Sequence, residues 1–189
     1  MDAVLQWVNK RGKGCPYSMR LVTLHTMCNL FSTPLFGNVV FNSPKIRTEL
    51  TKLISSSFLD DDHTNTRVAA SSLLFNLSLY NRRRRREKNP MRFTEDEEVE
   101  LAASLVEAIT REQESVEALH GMLLSLGYLF YGADLTGELA DLLRALDARG
   151  TILGKKELFP NEKLVMEVGE ELLGKGLQMP QMPASPQKP

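Results

Sequence analysis

The sequence predicts an all-α fold built from stacked helical repeats, and three observations carry that prediction. Apolar residues recur at spacings of three and four along nearly the whole chain, which is the period of one helix face rather than of a strand. Helix start and stop signals fall between the apolar segments. Three of the segments share a similar centre.

The first clear apolar face joins Leu21, Leu24, Met27, Cys28, Leu30 and Phe31, in a chain that already begins in a helical pattern. Ile46, Leu50, Leu53 and Ile54 form the next, and Ser43 followed by Pro44 reads as an N-cap with proline in the first turn, where a missing N–H costs nothing. Val68, Ser72, Phe75 and Leu79 follow, with Thr64 placed to cap the helix that runs through Arg67. Thr94 to Glu97 is a capping box, with acidic side chains at the positive end of the helix dipole, and it opens a helix carrying Leu101, Leu105, Ala108 and Ile109. The most apolar segment holds Leu119, Met122, Leu126, Leu129 and Phe130. Leu135, Leu139, Leu142, Leu143 and Leu146 come next, and Leu164, Val165, Val168, Leu172 and Leu173 last. Gly150 and Gly174 sit where left-handed C-caps are expected. No run alternates strictly between turn residues, so a sheet is not expected. Residues 1–176 therefore read as the helical domain, and 177–189, proline-rich and without a core pattern, as a disordered tail.

The three similar centres are LHTMCNLF from Leu24, SSLLFNLS from Ser71 and MLLSLGYL from Met122. They align Asn29, Asn76 and Gly127, at offsets of 47 and 51 residues. Armadillo and HEAT units run to about 40–47 residues, with insertions in loops. Each centre is followed by a loop and another amphipathic helix, the grammar of repeats that bury their faces on one another. The expected architecture is thus an armadillo-like helical repeat superhelix.

Composition excludes several classes. Formal net charge is −1, without the basic excess of a nucleic-acid binder. The longest apolar run, Met122 to Tyr131, is about half of what a bilayer requires, so no membrane partner is expected. The N-terminus lacks a signal-peptide pattern. Two cysteines make no disulfide framework, which points to a reducing compartment, the cytoplasm or nucleus. Catalysis has little support. Cys28 and His25 are three residues apart, but no orienting group or oxyanion site is readable. The three histidines show no zinc spacing, Asp60 to His63 lacks the glycine turn of a calcium loop, and no glycine loop cradles phosphate. No cofactor and no enzymatic activity are expected.

The candidate functional residues lie in the repeat centres. Asparagine is a poor helix former, and its amide, buried without partners, costs about 1–3 kcal/mol. Asn29 and Asn76 either grip the backbone of an extended peptide on the concave face of the superhelix or bond to a nearby loop carbonyl. His25, one turn before Asn29, shares its face and either meets an acidic ligand or lines the groove. Gly127 admits a close approach, by a ligand or by another helix. Arg82 to Arg86 read as a solvated loop between two helices, balanced by Glu95 to Glu98, with a nuclear import signal or anion patch as the alternative. No aromatic residues interleave with these arginines to stack bases.

The stretches LVTLHTMCNLF, NTRVAASSLLFNLSL and EALHGMLLSLGYL resemble the PUL domain, in that order and spacing, from about Leu21 to Leu173. That domain stands at the C-terminus of phospholipase A-activating protein and beside thioredoxin-like and desumoylating-peptidase-like domains in fungal proteins. The resemblance implies an armadillo-like superhelix whose basic groove binds the acidic, tyrosine-containing C-terminal tail of the valosin-containing AAA+ ATPase. It also implies further helices at the N-terminus than this chain contains, so that the chain reads as a fragment of a larger protein. Two departures stand out. The family often has arginine where this chain has His25, and a basic residue near Gly121. Arg20, His120 or Arg67 is then expected to supply the missing charge. The other reading is a structural repeat module that positions a neighbouring thioredoxin-like or isopeptidase domain.

Overall fold

The computed structural model describes residues 1–11, 14–31, 33–60, 63–130 and 137–176. The proline-rich tail, Leu135, Asp61 and Asp62 lie outside the described residues. Ten α-helices are seen there: α1 (Asp2–Arg11), α2 (Tyr17–Leu30), α3 (Pro34–Phe41), α4 (Pro44–Phe58), α5 (Thr64–Arg86), α6 (Glu95–Arg111), α7 (Val116–Phe130), α8 (Glu138–Ala145), α9 (Ala148–Leu158) and α10 (Lys163–Glu171), closed by a π-turn at Leu172–Gly176. No strand occurs among the described residues.

The helices form two layers. One runs α2, α5, α7, α10, each packed on the next; the other runs α1, α4, α6, with α8 and α9 both resting on α6. Sequential pairs α1–α2, α4–α5, α6–α7 and α9–α10 cross between the layers. This is the helical repeat stack that the apolar spacing predicts. The interface between layers carries Leu50, Leu53 and Ile54 of α4, Leu73, Leu74 and Leu77 of α5, Leu101, Leu105 and Ile109 of α6, and Leu119, Met122 and Leu126 of α7, all buried. Each such side chain contributes about 1.5–3 kcal/mol by leaving water.

Two of the sequence-predicted caps are formed. The Ile46 N–H donates to Ser43 Oγ at 3.4 Å. Thr94 and Glu97 make the reciprocal bonds of a capping box, at 2.8 and 3.2 Å. Both oxygens of the Glu97 carboxylate also share the single Arg47 Nε–H, each at 2.8 Å, fastening α6 to α4.

Four expectations are corrected. Thr64 is not the cap of α5: His63 occupies that position without a side-chain capping bond, and Thr64 Oγ1 instead accepts from Arg67. Gly150 does not close a helix. It stands in the first turn of α9, its N–H bonded to the capping Asp147 at 3.1 Å. Gly174 belongs to the π-turn rather than to a left-handed cap. Arg82 to Arg86 are not in a loop; they form the last turns of α5, where positive side chains offset the negative end of the helix dipole.

Candidate binding face

α5 is flanked by α2 on one side and α7 on the other, and α4 packs behind it. Its remaining side is open. Asn65, Ser72, Leu79, Arg83 and Arg86 are exposed along it, and Val68, Phe75 and Asn76 are half-buried. These positions recur at three and four residues, so they make one stripe. On α2 the exposed positions include Val22, His25, Thr26 and Asn29, with Ser18, Met19 and Leu30 also exposed; on α7 the half-buried stripe includes His120, Leu124, Gly127 and Tyr128.

The three helices are tied at successive levels. Tyr17 stacks on His63 with ring centroids 4.1 Å apart. The Cys28 thiol reaches the Ala69 carbonyl at 3.6 Å. Ser125 Oγ donates to the Ser71 carbonyl at 3.2 Å. Phe75 meets Tyr128 edge-on at 5.2 Å, and the Arg82 guanidinium lies 5.2 Å from the Tyr128 ring centroid. Phe75, Tyr128 and Leu79 thus form an apolar seat whose rim is cationic. At the C-terminal end of α5, Leu79, Arg82, Arg83, Arg86 and Glu87 line a depression of about 630 Å³.

The sequence-predicted residues divide into two groups. His25 and Asn29 are exposed, and Asn76 is half-buried on the α5 stripe. Among the described residues the Asn76 amide makes no hydrogen bond, so it is not spent on a loop carbonyl. Gly127 lies on the α7 stripe, and the approach it permits is by another part of the fold: a Cβ there would meet Leu172 Cδ2 at 3.0 Å. His120 is half-buried, and loss of hydration holds its imidazole below the ordinary pKa of 6.5, so at neutral pH it carries little charge.

Arg20 and Arg67 are turned into the fold. Arg20 is buried, with Nη1 3.4 Å from the Ser56 carbonyl. Arg67 is buried against Glu112, Nε to Oε2 at 2.7 Å, and gives a second bond to the Asp60 carbonyl at 3.0 Å. Lys155 of α9, which sequence reasoning missed, completes this cluster with Nζ bonds of 2.9 and 2.7 Å to the carbonyls of Thr110 and Glu112. Nothing in the sequence marks Lys155, because its role depends on α9 resting against the end of α6.

Burial pushes the Cys28 thiol up to about 11, which keeps it protonated and a poor nucleophile. Among the described residues no group of His, Cys, Asp and Glu is arranged to hold a metal ion, and no helix is long and apolar enough to cross a membrane.

Neither a curated protein nor a solved structure matches the chain. The family model of the PUL domain matches residues 1–171, taking in α1 and the turn before α2 as well as the repeat centres. With nine tenths of its length matched, the chain belongs to the PUL domain family, a family of protein-interaction domains.

Proposed function

We propose that the open face of the α2, α5, α7 layer binds the acidic, tyrosine-containing C-terminal tail of the valosin-containing AAA+ ATPase, making the chain an adaptor in ubiquitin-linked protein turnover. The observation that carries this reading is the Asn76 amide. It sits half-buried on an open stripe with no hydrogen bond among the described residues, next to the aromatic seat of Phe75 and Tyr128. A side-chain amide can both donate to and accept from the backbone of an extended peptide. Asn29 and His25 extend the polar surface on the neighbouring helix. Arg67, Arg20 and His120 support the face from within rather than meeting the ligand as cations, and Gly127 shapes it by letting Leu172 come close.

The peptide has to be ordered on binding, which keeps affinity modest. The same reading places the chain in the cytoplasm or nucleus, compartments suited to the unbridged thiols of Cys15 and Cys28. Isothermal titration of the folded chain with a synthetic acidic, tyrosine-containing peptide bearing a free C-terminal carboxylate tests it. Saturable binding is expected. Asn76→Ala is expected to weaken it about fivefold, the worth of about 1 kcal/mol for one net hydrogen bond. Absence of heat at high concentration of folded protein would overturn the reading.

A further inference from the structure

An acidic peptide needs cationic partners, and the middle of the face offers few. His25, Asn29 and Asn76 are the polar groups there. Arg20 and Arg67 are buried, and partial loss of hydration disfavours the charged form of His120. The charge has to come from elsewhere on the same surface.

The five arginines at the end of α5 separate into two sets. Arg84 and Arg85 point inward. Arg84 is buried and bonds to Asn38, to Tyr80 Oη at 3.2 Å and to the Met91 carbonyl at 3.4 Å. Arg85 pairs with Glu98 and reaches the Leu129 carbonyl at 3.2 Å. These two fix the helix end, so the run is no continuous exposed basic tract. Arg83 and Arg86 point the other way, Arg83 seven residues beyond Asn76 and Arg86 seven beyond Leu79, and therefore on the open stripe. Arg83 is exposed and among the described residues pairs with Glu87, itself exposed, at 2.9 Å; a pair of this kind exchanges readily for another carboxylate. Arg86 is exposed and makes no hydrogen bond or ion pair among the described residues. Both line the 630 Å³ depression with Leu79 and Arg82.

We propose that Arg83 and Arg86, beside Arg82 on Tyr128, are the anion-binding half of the peptide site, taking the acidic side chains of a peptide whose aromatic residue sits on Phe75, Leu79 and Tyr128. This rests on the peptide reading above and adds to it the position and identity of the charge contacts. Guanidinium groups suit the task because their fork matches a carboxylate with two parallel bonds. The chain's overall charge of −1 makes the patch local. A short acidic segment fits such a patch better than an extended polyanion, whose binding usually goes with a strongly basic domain.

Fluorescence anisotropy with the labelled acidic peptide, and with a version in which every Asp and Glu is replaced by its amide, tests the proposal. Arg83→Gln/Arg86→Gln is expected to bind the acidic peptide about tenfold more weakly than wild type, as two partly exposed charge pairs would give, and with a shallower dependence on salt. The amide peptide is expected to bind both proteins equally and weakly. Arg83→Lys/Arg86→Lys, which keeps the charge but loses the fork, should fall between wild type and the glutamine variant. An Arg83→Gln/Arg86→Gln variant, folded by its thermal melt, that binds the acidic peptide within about twofold of wild type would overturn the assignment while leaving the peptide reading intact. Wild type that binds neither peptide would overturn both. A poly-uridine oligomer that binds wild type as tightly as the acidic peptide, and loses its binding in the double variant, would reassign the stripe to nucleic acid.

Discussion

Arg67 Nε stands 2.7 Å from Glu112 Oε2, and through that bond the first turns of α5 are fastened to the turn between α6 and α7. The other carboxylate oxygen accepts the backbone N–H groups of Glu114 and Ser115 at 3.1 and 2.9 Å, so one side chain both neutralises the arginine and closes the start of α7. The Glu112 side chain is 1% exposed. Burial alone would raise its pKa, but the Arg67 bond and the two backbone donors outweigh that and hold it below the ordinary 4.5.

Removing Arg67 leaves this carboxylate buried without its cation. Arg67→Ala is expected to lower unfolding free energy by about 3–5 kcal/mol, the usual cost of breaking a buried pair from one side. Arg67→Lys should recover only part, because an ammonium cannot reproduce the fork that reaches both Glu112 and the Asp60 carbonyl. Urea denaturation of both variants checks this. A loss below about 1 kcal/mol for Arg67→Ala would mean that the pair contributes no more than a surface one.

Gly121 and Ser71 define how closely α5 and α7 approach. A Cβ on Gly121 would lie 2.4 Å from Ser71 Oγ and 3.0 Å from Ser71 Cβ. Turning the hydroxyl relieves only the first contact. Gly121→Ala is therefore expected to destabilise by about 1–3 kcal/mol through overpacking, despite the roughly 1 kcal/mol that alanine gains over glycine in a helix. Ser71→Gly in the same chain should restore part of the loss. Thermal unfolding of the single and double variants reads the difference; a single variant more stable than wild type would contradict the packing argument. The same contact bars a basic side chain at this position, so charge lost here cannot be regained by a local substitution.

Acidification should weaken the fold in two steps. His120 has a folded pKa below its ordinary 6.5 because burial disfavours the imidazolium. Its contribution is present above pH 6.5 and is lost as pH falls through that value toward the lowered one. Glu112, depressed by its donors, acts the same way further down, its contribution fading as pH drops below 4.5. Melting temperature is expected to fall between about pH 7.5 and about pH 5.5, and His120→Gln should remove that first step while leaving the second. An unchanged first step in the variant would assign it to another group.

Much of the architecture was legible in the sequence, because helix period and caps are local. The faces around Leu24, Leu53, Leu105 and Leu126 and the caps at Ser43 and Thr94 needed no knowledge of the partner helix. On α5 the spacing of Val68, Ser72, Phe75 and Leu79 picked out the open stripe, whereas the buried face is that of Leu73, Leu74 and Leu77; with apolar residues on both sides, period alone does not tell which one packs. The short α3 and α9 were not legible. Val40 and Phe41 occupy a single turn too brief to show a period, and α9 has Gly150 and Gly154 where a helix is not expected. The binding face was legible in part. The repeat register put Asn29 and Asn76 at equivalent positions, with His25 one turn before Asn29, and all three lie on open sides of their helices. Arg67 and Arg20 were chosen for their charge, and burial is a tertiary property that charge does not reveal. The division of Arg82 to Arg86 into inward and outward sets follows from the 100° step of a helix, and became visible once those residues proved to be helical.

Amide chemical-shift mapping of the full chain during titration with the acidic, tyrosine-containing peptide tests the central claim most directly. Perturbations are expected along α2 around His25 and Asn29, along α5 from Ser72 to Arg86 and along α7 from His120 to Tyr128, with α4, α6 and α9 quiet. Saturable shifts confined to α4, α6 or α9, or no shifts at all from a folded protein, would contradict it.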